Sequence, residues 1–423
     1  MGMRNLSLMV ICALSLRAGL WAQDGPDVEE GKKADFSRFV VAGDSLTAGY
    51  QNSQLIFSGQ IHGYANVIAS QAGVGLNLPL LPYPGFPQVS IVGGRAVVTG
   101  YQPVARENNQ QTRDLAVPGY TVGALVAYAA ACSPNDPTNQ GSALQLLAAE
   151  ILNPSCSDPA PTELTDAAAL QPTTSILWIG SNDALLAVLF GGDPTDSATF
   201  GYLHQVAAST LAQASGKLVL ANIPDVTKVP YLTSVERLAQ ILGLPEGTVA
   251  TALGLSSGDK VSPYAFALIQ AMNGSLTALP DSIVQGPVVL RESKLAQIRQ
   301  AVVEYNALIA QEAVANHAVL VDIHALIDEL AEHGRVVNGQ KLTTSFMGGL
   351  FSLDGIHPTN TGYAIIANEF IRAMNRSLGV RIPPASVERV AKTDPLIFPV
   401  GHPIESTGHV SEEMAEGLRR VMR

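Results

Sequence analysis

The stretch VVAGDSLTAGY, residues 40–50, carries apolar residues straight into a serine. Ser45 stands where a buried strand gives way to a turn, and backbone N–H groups at the start of a following helix would favour negative charge there. Two chemistries fit that placement: a nucleophile that develops an oxyanion beside it, or an ordinary N-cap of the next helix. The Gly-x-Ser-x-Gly elbow of one hydrolase class is not met, because Thr47 stands where its second glycine would be.

A serine nucleophile needs partners, and FSLDGIHPTNTGY, residues 351–363, offers two. Asp354 and His357 are three apart in a short loop, a spacing that brings carboxylate and imidazole to one side of a turn. Pro358 disfavours a helical His357, so the next helix starts beyond the histidine and leaves its ring at the helix mouth. An Asp that fixes the imidazole tautomer and stabilises the imidazolium is what a serine nucleophile requires. Taken alone, the pair fits a surface contact equally well. ILWIGSNDALL places Asn182 after an apolar run, and DLAVPGYTV places Gly119 after another. A side-chain amide and a closely approaching backbone N–H can stabilise a tetrahedral oxyanion, although Asn-Asp and Pro-Gly are also common turns. Asp44 and Asp183 are expected to hold their loops by hydrogen bonds.

The elements that must position these residues are short apolar runs, each feeding a segment of helical period: 39–42, 115–117, 176–179, 218–221 and 319–321. That rhythm is α/β, and right-handed crossovers imply an open five-stranded parallel sheet with helices on both faces. Ligands in such folds collect at the carboxyl ends of the strands. A helix is expected from about Glu292 to Asn316, and another from near Asn360 until Gly379 ends it. Three stretches exceed ordinary connections. Residues 78–111 are Pro-rich and carry a hairpin around Gly93-Gly94; 225–288 are Ala/Leu-rich and read as several short helices; 380–423 form a C-terminal extension. The 225–288 insertion is either an apolar lid over the site or helices that merely cover the sheet.

The 423 residues are 47% hydrophobic and carry a formal charge of −11, which argues against nucleic acid or an anionic membrane held by charge. Residues 1–22 read as a secretory signal cleaved near Ala22: Arg4 precedes an apolar stretch of about 11 residues, too short for the ~20 that span a bilayer. The expected location is secreted or periplasmic, with 23–379 as the main domain. In an oxidising compartment Cys132 and Cys156 are expected to form a disulfide rather than two buried thiols. Closing that loop would stabilise by ~3.5 kcal/mol in the chain-entropy model. The histidines outside the 351–363 stretch show no paired metal spacing, so neither metal nor cofactor is expected.

With all four motifs in view, the chain resembles the GDSL esterases and lipases of the SGNH hydrolase superfamily. GDSL at 43–46, AVPG at 116–119, GSND at 180–183 and DGIHP at 354–358 match its four blocks in order. The resemblance implies a flavodoxin-like three-layer α/β/α sandwich with Ser45 as nucleophile, His357 as general base and acid, and Asp354 orienting His357. It implies an oxyanion hole made of the Ser45 and Gly119 backbone N–H groups and the Asn182 amide. Asp114 departs from the pattern, since the glycine block commonly carries Asn there. The implied activity is a secreted serine ester hydrolase acting on carboxylic esters, lipid or acyl esters first. An acetyl-sugar esterase, a lysophospholipase or a thioesterase would use the same site. Partners expected are a small-molecule or lipid ester, with transient contact at a lipid surface and no stable membrane span. The alternative of another class is a secreted binding module that keeps the fold without the reaction.

Overall fold

The computed structural model describes residues 34–397 apart from 93–94, 102–104, 108–109, 133–141 and 272–286. The signal reading over 1–22, the Gly93-Gly94 turn and the chain beyond 397 lie outside the described residues. Four strands form the central sheet: β1 (Phe39–Gly43), β2 (Thr174–Trp178), β3 (Lys217–Ala221) and β4 (Val319–Val321). They lie side by side in that order and pair in parallel, with Phe39 opposite Thr174 and Val219 opposite Val319.

Successive side chains of a strand point to opposite faces, and here both faces are apolar. Val40, Ala42, Leu177, Leu218 and Leu220 enter one core, together with the helices Val122–Ala127, Glu163–Ala169, Ser197–Ala214 and Glu292–Ala315. Phe39, Val41, Ile176, Trp178 and Val219 enter the other, against Tyr64–Gln71, Ile323–His333 and Asn360–Leu378. Burial on both sides is why the strands read as continuous apolar runs rather than alternating ones. The result is the expected three-layer α/β/α sandwich. The two long helices begin and end within a residue of their expected limits; Thr359 caps the second, and Gly379 closes it in a left-handed conformation.

The expected five-stranded sheet is corrected to four strands. Residues 115–117 do run beside β1, with Val41 N–H donating to Arg113 O, Leu115 N–H to Val41 O and Val117 N–H to Gly43 O. A regular parallel ladder would next join Gly43 N–H to Leu115 O. Instead the Glu163 carboxyl accepts from Gly43 at 2.6 Å, and the ladder is interrupted after one bridge, Val41 with Asp114. With that run counted second in the chain, the spatial order is 2-1-3-4-5, the flavodoxin-like winding.

The 225–288 stretch contains Val235–Leu242, Glu246–Leu253 and Pro263–Ala271, as short helices were expected there. Residues 233–234, 260–261 and 289–290 add a small antiparallel sheet, and Val235, Leu238, Val249, Leu253 and Val261 give this insertion a core of its own. In the other insertion Gln88–Val92 pairs antiparallel with Arg95–Gly100. Cys132 and Cys156 form a disulfide. The described start of the C-terminal stretch is integral to the second layer: Ile382, Val387 and Ala391 are buried there. Asn375 Nδ2 also donates to Ile382 O, and Asp394 accepts from Thr361 N–H at 2.7 Å.

Candidate active site

β1 ends at Gly43, where a Cβ would lie 2.3 Å from Trp178 O and 2.5 Å from Thr47 Oγ1. Only glycine lets the next turn fold back so closely on β2. The chain then makes one turn, with Thr47 and Ala48 N–H donating to Asp44 O and Tyr50 N–H to Ser45 O. Gly49 reverses it at φ +75°, so the helix expected directly after Ser45 does not form; the next helix starts at Phe57. Ser45 therefore sits on a tight turn at the carboxyl end of β1, and the N-cap reading of it falls away.

His357 Nε2 lies 2.7 Å from Ser45 Oγ, and His357 Nδ1 lies 2.9 Å from Asp354 Oδ2. All three residues are buried, between 7% and 8% exposed. Asp354 Oδ1 accepts the N–H groups of Ile356 and His357, and Oδ2 accepts that of Ser53. Burial alone would raise the Asp354 pKa; the His357 imidazole and the N–H groups of His357 and Ile356 outweigh it and hold the carboxyl below the usual carboxylate range. A second clamp joins the same segments, since Asn52 N–H donates to Ser352 Oγ and Asn52 Oδ1 accepts from Leu353 N–H. The Tyr50 ring covers the imidazole, with centroids 4.7 Å apart. The helix after the histidine begins at Asn360, as Pro358 required.

Asn182 is the second residue of the helix Ser181–Phe190, which follows β2, and its Nδ2 donates to Tyr120 O at 2.8 Å. Its neighbour Asp183 accepts Val122 N–H at 2.9 Å and Thr195 Oγ1 at 2.9 Å. These ties fasten the end of β2 to the segment carrying Gly119, which itself adjoins β1 through Val117 and Gly43. Three sequence-distant segments thus meet at the carboxyl edge of the sheet. Among the described residues, the N–H groups of Ser45 and Gly119 donate to no acceptor.

A family model described as GDSL-like Lipase/Acylhydrolase matches residues 39–370, well over half of the chain. The chain belongs to this family. A search of curated proteins finds no match. Among solved structures the chain is similar to an alpha/beta hydrolase enzyme from the metagenome of Lake Arreo, Spain, at 16% identity over 81% of this chain and 96% of that one, TM-score 0.36. It is also similar to an acetylxylan esterase from Geobacillus stearothermophilus, at 12% identity over 82% and 97%, TM-score 0.36. An extracellular lipase from Streptomyces rimosus gives 14% identity over 80% and 98%, TM-score 0.31. As a GDSL-family member the protein is a serine ester hydrolase.

Within this family frame, Asn52, Ser53 and Tyr50 are contributors that sequence reasoning did not single out. Only the polar run Gln51-Asn52-Ser53 after an apolar turn hinted at the first two. Beneath the site lie carboxyls of unusual character. Burial pushes Asp44 up to about 7 and Asp114 up to about 8, against the pull of Leu46 N–H and Ala116 N–H respectively. Asp44 holds its own turn by accepting from Leu46 N–H at 3.0 Å, as expected of it. Among the described residues no group of three or more His, Cys, Asp or Glu stands where it could hold a metal ion, and no helix is long and apolar enough to cross a membrane.

Proposed function

We propose that this protein is exported and hydrolyses carboxylic esters through an acyl-enzyme formed on Ser45. The observation that carries the reading is the unbroken relay from Ser45 Oγ to His357 Nε2 at 2.7 Å and from His357 Nδ1 to Asp354 Oδ2 at 2.9 Å. His357 takes the Ser45 proton as Oγ attacks the ester carbonyl. The carbonyl oxygen gains negative charge, which the N–H groups of Ser45 and Gly119 and the Asn182 amide stabilise. His357 then protonates the departing alkoxide, leaving the acyl group on Ser45. A water molecule, deprotonated by His357, attacks that acyl-serine and returns the enzyme with release of the acid.

Export is supported by the Cys132–Cys156 disulfide, a bond that persists in oxidising compartments. Lipid or acyl esters are the first substrate class, because the Leu- and Val-rich 225–290 region adjoins the base: Tyr231 N–H donates to the carbonyl of Gly355, between Asp354 and His357. One observation favours the acetyl-sugar reading as second. Tyr101 is 53% exposed and set edge-on to Phe86 at 6.3 Å, an aromatic surface on which a sugar ring can stack. Hydrolysis rates across p-nitrophenyl esters from acetyl to palmitoyl test the choice. Rates rising with chain length support the acyl-ester reading, and rates confined to acetyl and butyryl support the small-ester one.

A further inference from the structure

Glu163 is the most completely buried acidic residue near the nucleophile, with no exposed surface, and no step above uses it. It opens the helix Glu163–Ala169, whose start is fixed by the reciprocal Thr162 and Thr165 capping bonds. From there its Oε1 accepts Gly43 N–H at 2.6 Å, two residues before Ser45. Its Oε2 has no partner. Among the described residues no cation pairs with it, and the ionisable groups around it are Asp44, Asp114, Asp166 and the Tyr120 hydroxyl. Burial, reinforced by those carboxyls, holds Glu163 well above the usual range despite the Gly43 donor. Its Oε1 thus serves one backbone donor.

A buried carboxyl with an idle oxygen is costly, and an apolar side chain would suit the core better if packing were its whole purpose. The place it occupies explains its presence. Gly43 N–H would otherwise close the ladder onto Leu115 O, between the bonds that Leu115 N–H and Val117 N–H already make to Val41 O and Gly43 O. We propose that Glu163 is a positioning residue for the oxyanion donors, its carboxyl standing in for the missing bond between Gly43 and Leu115 and so setting the gap between the Ser45 turn and the segment ending at Gly119. This rests on the reading of Ser45 and Gly119 given above. Glu163 touches no substrate; it acts through Gly43.

Steady-state kinetics on p-nitrophenyl acetate, with thermal melts, separate this role from simple support. Glu163→Gln keeps the reach and the acceptor and recovers kcat to within about threefold, while Glu163→Asp, one methylene shorter, and Glu163→Ala lose about tenfold or more in kcat with KM nearly constant. Where Glu163→Ala does not fold, the Gln and Asp pair decides. A folded Glu163→Asp with wild-type kcat overturns the assignment, as does a loss confined to KM or a Glu163→Gln as impaired as Glu163→Asp. Wild-type protein that hydrolyses no ester at all removes instead the reading of Ser45, and this assignment with it.

Discussion

Ser53 donates its backbone N–H to Asp354 Oδ2 at 2.8 Å, across 301 residues of sequence. The same oxygen faces His357 Nδ1, so the turn after β1 and the loop carrying the acid and base are fastened at the atom that orients the imidazole. Replacing that carboxylate by an amide leaves one acceptor oxygen for the four donors that its two oxygens now serve. Asp354→Asn should therefore lower kcat by about 10⁴-fold with little change in KM, by analogy with the same change in serine proteases. A loss below about tenfold would show that Asp354 does not set the tautomer.

In the proposed reaction Asn182 has a narrower duty. Its amide is anchored on Tyr120 O, leaving the remaining N–H for the oxyanion. Asn182→Ala should cost about 3 kcal/mol of transition-state stabilisation, appearing in kcat rather than KM. An unchanged kcat removes Asn182 from the hole.

The buried carboxyls make folding stability fall as pH rises. Asp44 and Asp114 have folded pKa values raised by burial to about 7 and about 8, and burial also raises that of Glu163. Between the unfolded value of about 4 and those folded values the native state binds more protons than the unfolded one. Stability is then fully present below about pH 4 for these groups and is lost towards pH 8, with a limiting slope of about 1.4 kcal/mol per pH unit for each. Asp354 works in the opposite sense only on the acid side, where its lowered pKa is crossed. Urea midpoints at pH 5.5 and 8.5 check this: the first should be higher, and Asp114→Asn should reduce the difference. A higher midpoint at pH 8.5 would contradict it.

The sheet strands and the two long helices were legible in the sequence because continuous apolar runs and a 3.6-residue period are local signals. Val40-Val41-Ala42 and Leu295, Ile298, Val302 announce their burial without reference to anything distant. The Ser45, Asn182 and Asp354–His357 segments were legible for the same reason, each lying where a run ends. What was hidden depends on partners far away in the chain. Residues 115–117 look like a strand by composition, and only the Glu163 carboxyl on a later helix interrupts their pairing with β1. The helix expected after Ser45 fails because Gly49 turns back against the backbone of Gly59 and Gln60, 2.9 Å from where a Cβ would stand. Asn52 and Ser53 read as ordinary turn residues until the 352–354 loop is brought against them.

The central claim is that Ser45 is the activated nucleophile, and covalent labelling tests it most directly. Folded wild-type protein treated with a fluorophosphonate should gain one adduct, located by mass spectrometry on the peptide containing Ser45. The adduct should be absent in Ser45→Ala and strongly slowed in His357→Ala. Ester hydrolysis that persists in Ser45→Ala, or an adduct on another residue of the active protein, would contradict the account.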